Sequence, residues 1–585
     1  MKTVAGSPAP AAASSRTVRG RPWHVAPDVR RPAARWQLLL AGLALFGLAL
    51  VPRLIGLEQH LTADDGSWIR LSSRFNVAVR RGDLLDTYQD AHPGVPVYWL
   101  AEVAIGPERA AELVARSGDV ARMVKAPSYL GALFDARRAL ALVSAGLTVL
   151  LAALTWRLFG FGPAALAGLL LACEPFLVAH ARLLHTDSLL AQLMAASLLA
   201  ALIFFDGRGG RAYLVGSGLA AGLAFLTKVP AALLFGFVPL LGLAWTARRT
   251  DRAVGPVDTA RIRRLALDLA VWALAAGVIS ALLWPSLWVS PFGTLSRLGL
   301  GVLVEGETPR TWGSFFLGRA VREDVGPLFY PLVTLLRLSP ITLAGLLLLT
   351  WFGFRDRASG AEPETAPMRA WRPRLVALLA YLALFTLLMT LSPKKADRYL
   401  LPVYPILLIL AALGLYLPVR RWRPGPRLIA GLALGLGQAA LVASVQPYPL
   451  SFYDPLLGGA GLARQLVEVG WGEGTDQVAA YLDRQPDAPS IGVTTLYWDL
   501  IPAQFAGTGV PLWEWQRADY LAEYVNMDQR GIMPVPLQAL VRSGAPVFTA
   551  RINGLDYVRL YRIPPELKAQ SQSSETPRKS SVPRP

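Results

Sequence analysis

The feature that most limits this chain is a recurrence of apolar stretches long enough to cross a bilayer. About twenty residues at helical rise span the hydrocarbon core, and within it each backbone polar group must be bonded inside the protein. Such stretches fall at 36–57, 137–156, 163–180, 188–205, 212–227, 229–246, 265–284, 332–354, 374–391, 399–417 and 427–445. They predict a mostly α-helical, polytopic membrane protein with about eleven transmembrane helices. Only Lys228 separates the stretches 212–227 and 229–246, which reads as a tight hairpin or a less regular turn.

Charge supports this and gives a direction. Charged residues make up 17% of the chain, against roughly 25% in a typical soluble domain. The net charge of +18 is carried largely by short loops between the apolar stretches. That is the bias expected of cytoplasmic loops, and it argues against a nucleic-acid partner. Arg157, Arg208 and Arg211, the group Arg248 to Arg264, the group Arg355 to Arg374, and Arg420, Arg421 and Arg423 share a side with the Arg-rich N-terminus. That side is predicted to be cytoplasmic. Segments 58–136, 181–187, 285–331 and 392–398 then lie outside, as does everything after about Gln446. The single cysteine, Cys173, leaves no intrachain disulfide framework and no cysteine-based metal site.

Residues 1–35, rich in Ala, Pro, Ser and Arg, read as a disordered cytoplasmic tail and not as a cleaved signal. Residues 36–445 form the membrane domain, with 58–136 as its large outer loop. Residues 446–565 change character and read as a small extracytoplasmic α/β domain. A helix is expected at Asp476–Arg484, a strand at Ser490–Thr494, and a hairpin from Val547–Ala550 and Tyr557–Ile563. Residues 566–585 read as a disordered tail.

Placed on this topology, polar residues far apart in sequence reach one membrane face. Asp64 and Asp65 follow the first apolar stretch, and Tyr88, Asp90 and His92 precede the Pro93-Gly94 turn in the same outer loop. Asp187 ends the segment HARLLHTD, and Lys394, Lys395 and Arg398 open the stretch KKADRYLLPVYP. The spans carry almost no charge away from their ends, whereas ion-coupled transporters place ionisable groups near the midplane. Chemistry at the interface suits a substrate with a lipid tail and a negative head. Lysine and arginine match a phosphate, and a nearby carboxylate can act as general base.

The acidic pair after the first helix, the aromatic loop ending in Tyr98-Trp99-Leu100, ARLLHTD and KKADRYLLPVYP occur in an order that resembles the GT-C glycosyltransferases. The resemblance covers about 36–445 and is nearest to the protein O-mannosyltransferase and lipid A aminoarabinose transferase branch; SFYDPLLGGAGLARQLVEVGWGEGTDQVAAYL is also similar to the end of bacterial members. It implies inverting transfer of a sugar from a polyprenyl-phosphate donor to a protein, lipid or glycan acceptor at the extracytoplasmic face. Position by position, it implies Asp64 as catalytic base, Asp65 beside it where the pattern more often has Glu, and Asp187 as a second acid that organises the site. It implies Lys394, Lys395 and Arg398 as the donor-phosphate group, with Tyr88 and His92 as further substrate-binding residues of the loop. A divalent metal ion is the one cofactor it allows, with Asp187 and Asp90 as candidate ligands. Asp90-Ala91-His92-Pro93-Gly94 replaces a Glu-Lys-Pro-Pro-like stretch of the lipid A branch, so metal binding and lipid A specificity do not carry over directly.

Plainer roles stand beside these. Asp64-Asp65 suits a helix N-cap. Asp187 suits a cap on its span, His185 an interfacial histidine, and His92 a turn residue. Lys394, Lys395 and Arg398 suit snorkelling anchors, although three cations on the outer side run against the positive-inside bias. Tyr399, Tyr404, Trp284 and Trp288 suit an interface belt, and Arg70 with Arg74 a solvated helix face. Glu305 and Glu307 stay open between a site role and a solvated loop. The alternative function is a transporter or flippase for a lipid-linked substrate, without covalent chemistry.

Overall fold

A computed structural model of the protein describes residues 35–248, 259–307, 312–358 and 367–573, without the side chains of 305–307, 357–358, 367 and 570–573. The chain falls into two compact units, Met1–Leu43 and Ala44–Pro585. The first contributes only the opening turns of the helix Arg35–Leu54 to the described residues; the contacts below belong to the second.

All eleven apolar stretches are helical, but they are not eleven equal spans. Among the described residues, eight helices are long and apolar enough to cross a membrane: Arg35–Leu54, Tyr129–Phe159, Asp187–Phe205, Val229–Arg248, Thr259–Leu283, Met368–Leu391, Asp397–Val419 and Pro424–Ser444. A ninth is the pair Phe329–Arg337 and Pro340–Asp356, bent by 116°. The expected spans at 163–180 and 212–227 are shorter apolar helices, Phe161–Cys173 and Arg211–Thr227. The chain is a multi-pass membrane protein with fewer full-length spans than its apolar runs suggest.

For 163–180 and 332–354 the reason lies in two residues that precede proline. A residue before proline is pushed out of the helical region, so a helix ends there and proline opens the next. Glu174 does this before Pro175 and Ser339 before Pro340. The two breaks face each other. The Glu174 carboxylate accepts hydrogen bonds from Ser339 N (2.7 Å) and Oγ (2.9 Å), from Thr342 Oγ1 (2.7 Å) and from Gln438 Nε2 (2.9 Å). A fully buried carboxylate is tolerated because its oxygens are so bonded.

Helices approach closely where side chains are small, as membrane packing favours. A Cβ on Gly414 would stand 1.8 Å from the Gly345 carbonyl oxygen, so the two helices carrying them touch backbone to backbone. Asp187–Phe205 is the most enclosed span, 94% buried.

Outside the spans, segment 58–136 forms the helices Asp65–Arg81, Val95–Ile105, Pro107–Arg116 and Val120–Val124. Their aromatics interlock, with Phe75 edge-on to Trp99 at 5.2 Å and tilted on Tyr98 at 5.4 Å. In the loop 285–331 two strands not expected from the sequence, β1 (Ser314–Phe316) and β2 (Arg319–Val321), form a hairpin. Its tip donates from Leu317 N to Leu466 O at 2.7 Å.

The C-terminal segment contains the expected helix, at Thr475–Leu482. Its strands are β3 (Gly492–Thr495), β4 (Thr508–Pro511), β5 (Tyr520–Tyr524), β6 (Phe548–Ile552) and β7 (Leu555–Arg562), ordered β4-β3-β5-β7-β6. The β3 pairings with β4 and β5 are parallel; those of β7 with β5 and β6 are antiparallel. The expected hairpin is β6–β7, turned by Asn553 (φ 48°) and Gly554 (φ 80°), the positive pair a type I′ turn requires. The helix Pro565–Ser573 occupies the start of the tail expected to lack order. The rest of that tail and the N-terminal tail up to residue 34 lie outside the described residues.

Candidate active site

Two acids adjacent in sequence have separate fates. Asp64 occupies the N-cap of the helix Asp65–Arg81, yet its side chain makes no capping hydrogen bond. It turns instead to Arg398, whose Nη2 donates at 3.1 Å, and to His185, whose Nε2 lies at 3.3 Å. Asp65 points into the protein. Its Oδ2 accepts from Thr62 N (2.5 Å), Thr62 Oγ1 (2.9 Å) and Arg137 Nη2 (2.5 Å), and both members of that ion pair are at most 1% exposed. Expected beside Asp64 as a catalytic acid, Asp65 lies instead in a fully buried ion pair, apart from the contacts of Asp64. It folds the 60–65 loop and neutralises Arg137, which also donates to the carbonyls of Leu57 and His60.

The segment HARLLHTD brings the second acid to the same place. Asp187 begins its helix, and its backbone N–H donates to His185 Nδ1 at 3.3 Å. The same Nδ1 lies 3.2 Å from Asp187 Oδ2, so the ring stands between the two acids. Lys228 Nζ donates to Asp187 Oδ1 at 2.8 Å, and Arg398 Nε lies 3.5 Å from Oδ2. Asp64, His185, Asp187, Arg398 and Lys228 thus form one continuous charged cluster drawn from four regions of the chain.

Electrostatics give the acids their state. Burial alone would raise the Asp64 pKa; the Arg398 guanidinium, helped by His185, overrides this and holds the carboxyl down to about 2. Asp64 is therefore ionised at neutral pH and weakly basic while Arg398 is bound to it.

Beside the cluster lies a largely apolar cavity of about 350 Å³. Leu190, Val229, Leu233, Leu388 and Met389 supply its greasy wall, and Asp187, Lys228, Lys394 and His92 its polar end. A second, smaller cavity of about 60 Å³ is lined by Arg398 together with Trp471, His180 and Asp397.

Of the residues expected from sequence, Asp64, Asp187, Arg398, Lys394 and His92 converge on this place. Lys395 does not: its buried ammonium holds the Asp324 carboxylate and donates to Ser392 O (2.7 Å), tying down the outer loop. Tyr88 stacks on Trp284 at 6.0 Å and is not in the cavity wall. Asp90 accepts from the backbone N of Ala91 at 2.6 Å, a turn contact. The side chains of Glu305 and Glu307 lie outside the described residues. Sequence reasoning missed Lys228, whose signal was a lone cation at a hairpin tip on the outer side. His185 and Tyr399 were assigned to the interface; Tyr399 carries the Lys228 ammonium over its ring at 4.9 Å.

A divalent metal does not fit the proposed ligands. The oxygens of Asp187 face the cationic groups of Lys228 and Arg398, which repel a further cation. Asp90 does not join them, and among the described residues no three His, Cys, Asp or Glu side chains are grouped to hold a metal ion.

Residues 131–256 match the family model described as dolichyl-phosphate-mannose-protein mannosyltransferase. That segment lies within the 36–445 region where the motifs resemble GT-C glycosyltransferases. The chain is also similar to ArnT from Cupriavidus metallidurans in the apo state, at 18% identity and a TM-score of 0.47, with 91% of this chain and 98% of that chain covered. The same protein bound to undecaprenyl phosphate matches at 15% identity and a TM-score of 0.44, covering 90% and 98%. The archaeal oligosaccharyltransferase AglB from Archaeoglobus fulgidus, in complex with an inhibitory peptide and a dolichol-phosphate, matches at 13% identity and a TM-score of 0.44, covering 84% and 70%. No curated protein matches the chain at a significant level.

Proposed function

We propose that this chain is an integral membrane glycosyltransferase of the GT-C type. It transfers a sugar with inversion from a polyprenyl-phosphate donor to an acceptor hydroxyl at the extracytoplasmic face. The observation that carries this reading is the ion-paired cluster of Asp64, Arg398, Asp187 and Lys228, whose last two members form part of the wall of an otherwise largely apolar cavity. A lipid phosphate has that same polarity.

The donor's lipid lies against Leu190, Leu233 and Met389, with its phosphate toward Lys228 and Lys394 of the cavity wall and toward Arg398, which meets Asp187 beside them. Asp64 takes the proton of the acceptor hydroxyl as that oxygen bonds to the anomeric carbon. The bond from that carbon to the phosphate oxygen breaks, and the polyprenyl phosphate leaves with the electron pair. The guanidinium and ammonium groups meet the charge that develops on the leaving oxygen. The phosphate also competes with Asp64 for Arg398. Donor binding therefore loosens the contact that depresses the Asp64 pKa and makes the carboxylate a better base when it is needed.

The Arg-rich loops support a cytoplasmic N-terminus. A contact supports segment 446–565 on the same side as Asp64: Ala63 N, next to that acid, donates to Trp471 O at 3.3 Å.

The test is to incubate the purified protein with polyprenyl-phosphate sugars and acceptor and measure released polyprenyl phosphate. Transfer that survives Asp64→Asn removes that residue from its role. Movement of labelled lipid across liposomes with no sugar transfer replaces the reading with a flippase.

A further inference from the structure

Building on the transferase reading, we infer that Trp471, in the C-terminal segment, is a positioning residue for the reaction: its indole holds Arg398 between Asp64 and Asp187. The guanidinium carbon lies 4.2 Å from the indole centroid. The same ring stands 5.7 Å from that of His185 and 6.0 Å from that of His180. It also packs against Ala179, Leu183 and Leu450, under the loop that delivers Asp187.

The sequence around Trp471 is built to put it there. Gly470, Trp471, Gly472, Glu473 and Gly474 form a loop in which the three glycines take φ of +92°, +122° and +87°, values that L side chains avoid. A Cβ on Gly472 would stand 2.2 Å from the Leu61 carbonyl oxygen, so the loop lies directly on the strand of chain leading to Asp64. Buried Glu473 fixes the loop from within. Its Oε2 accepts from Trp471 N at 2.6 Å and from the Tyr524 hydroxyl at 3.0 Å, and that hydroxyl accepts from Gly472 N at 2.8 Å. Tyr524 ends β5, so the indole is anchored to the sheet.

An aromatic face suits this task for a physical reason. Arg398 has to bind two carboxylates and remain able to bind a phosphate. A further carboxylate would fix it but cancel its charge. A π face fixes the guanidinium plane and leaves its N–H edges free to exchange partners. The C-terminal segment is then part of the catalytic apparatus, not a cover over it.

The experiment uses full-length protein with Trp471→Phe and Trp471→Leu, the first retaining a π face and the second only bulk. Release of polyprenyl phosphate is followed as a function of pH. Trp471→Phe is expected to stay within about threefold of wild type and Trp471→Leu to lose about tenfold or more in kcat, the range a desolvated cation–π contact allows. In Trp471→Leu the acid limb of kcat/KM is also expected to rise by about one pH unit, because a looser Arg398 no longer holds Asp64 down. Equal activity in the two variants, or a rate loss with an unmoved acid limb, overturns the inference. If the wild type releases no polyprenyl phosphate, the transferase reading fails separately. Binding of polyprenyl phosphate then decides the role of Trp471: a severalfold loss in Trp471→Leu but not Trp471→Phe supports it, and equal affinity across all three proteins overturns it.

Discussion

Lys228 and Asp187, 41 residues apart, meet at 2.8 Å with side chains only 7% and 2% exposed. The pair fixes the second acid beside the first. Removing one partner of a buried pair leaves an uncompensated charge, a loss of about 3–5 kcal/mol. Lys228→Met is therefore expected to lower the melting temperature of the detergent-solubilised protein and abolish detectable transfer. Lys228→Arg should restore most of the stability. Unchanged melting in Lys228→Met would show that the pair does not matter.

Asp64 and Asp65 should separate cleanly. Asp64 is a third exposed and caps nothing, so Asp64→Asn should lower the melting temperature only modestly while transfer falls by about 10²–10⁴-fold, the usual contribution of a general base. Asp65→Asn should do the reverse. It strips Arg137 of its buried partner and is expected to cost about 3–5 kcal/mol of stability. A stable but inactive Asp65→Asn protein would return Asp65 to the chemistry.

The pH dependence follows from the depressed Asp64 pKa, about 2 against an ordinary 3.8. The ionised carboxylate favours the folded state fully above the ordinary value, and that contribution is lost as pH falls from there toward 2. Over pH 7 to 4 the expected kcat/KM is flat with respect to this group. Arg398→Gln should move the acid limb up toward the ordinary carboxylate range. An unmoved limb in that variant would mean that Arg398 does not set the state of Asp64.

Transfer is expected to persist in EDTA and to change less than about twofold on adding Mg²⁺ or Mn²⁺, because the donors around Asp187 favour an anion over a second cation. Loss of activity in chelator, restored by one divalent ion, would refute this.

Much of the architecture was legible because its signals are local. Apolar run length gave the membrane helices, and Arg placement set Asp64, Asp187 and Arg398 on one side. The strand patterns of Val547–Ala550 and Tyr557–Ile563 marked the β6–β7 hairpin. What was not legible depends on contacts between distant segments. Nothing local tells Asp64 from Asp65; the difference is that Arg137, 72 residues away, takes one of them. Lys394 and Lys395 are likewise equivalent until Asp324 claims the second. The spans at 163–180 and 332–354 looked continuous in hydropathy. The pre-proline breaks at Glu174 and Ser339 stabilise each other, and neither would be read as half of a joint by itself.

The apolar cavity has a kinetic consequence. Its greasy wall comes from the spans Asp187–Phe205, Val229–Arg248 and Met368–Leu391, so a donor reaching it is already dissolved in the lipid phase. Encounter then takes place in two dimensions. Under the proposed function, turnover should follow the mole fraction of donor in the membrane or micelle, not its bulk concentration. Adding inert detergent at fixed donor and enzyme would slow the reaction by surface dilution, without any inhibitor being present.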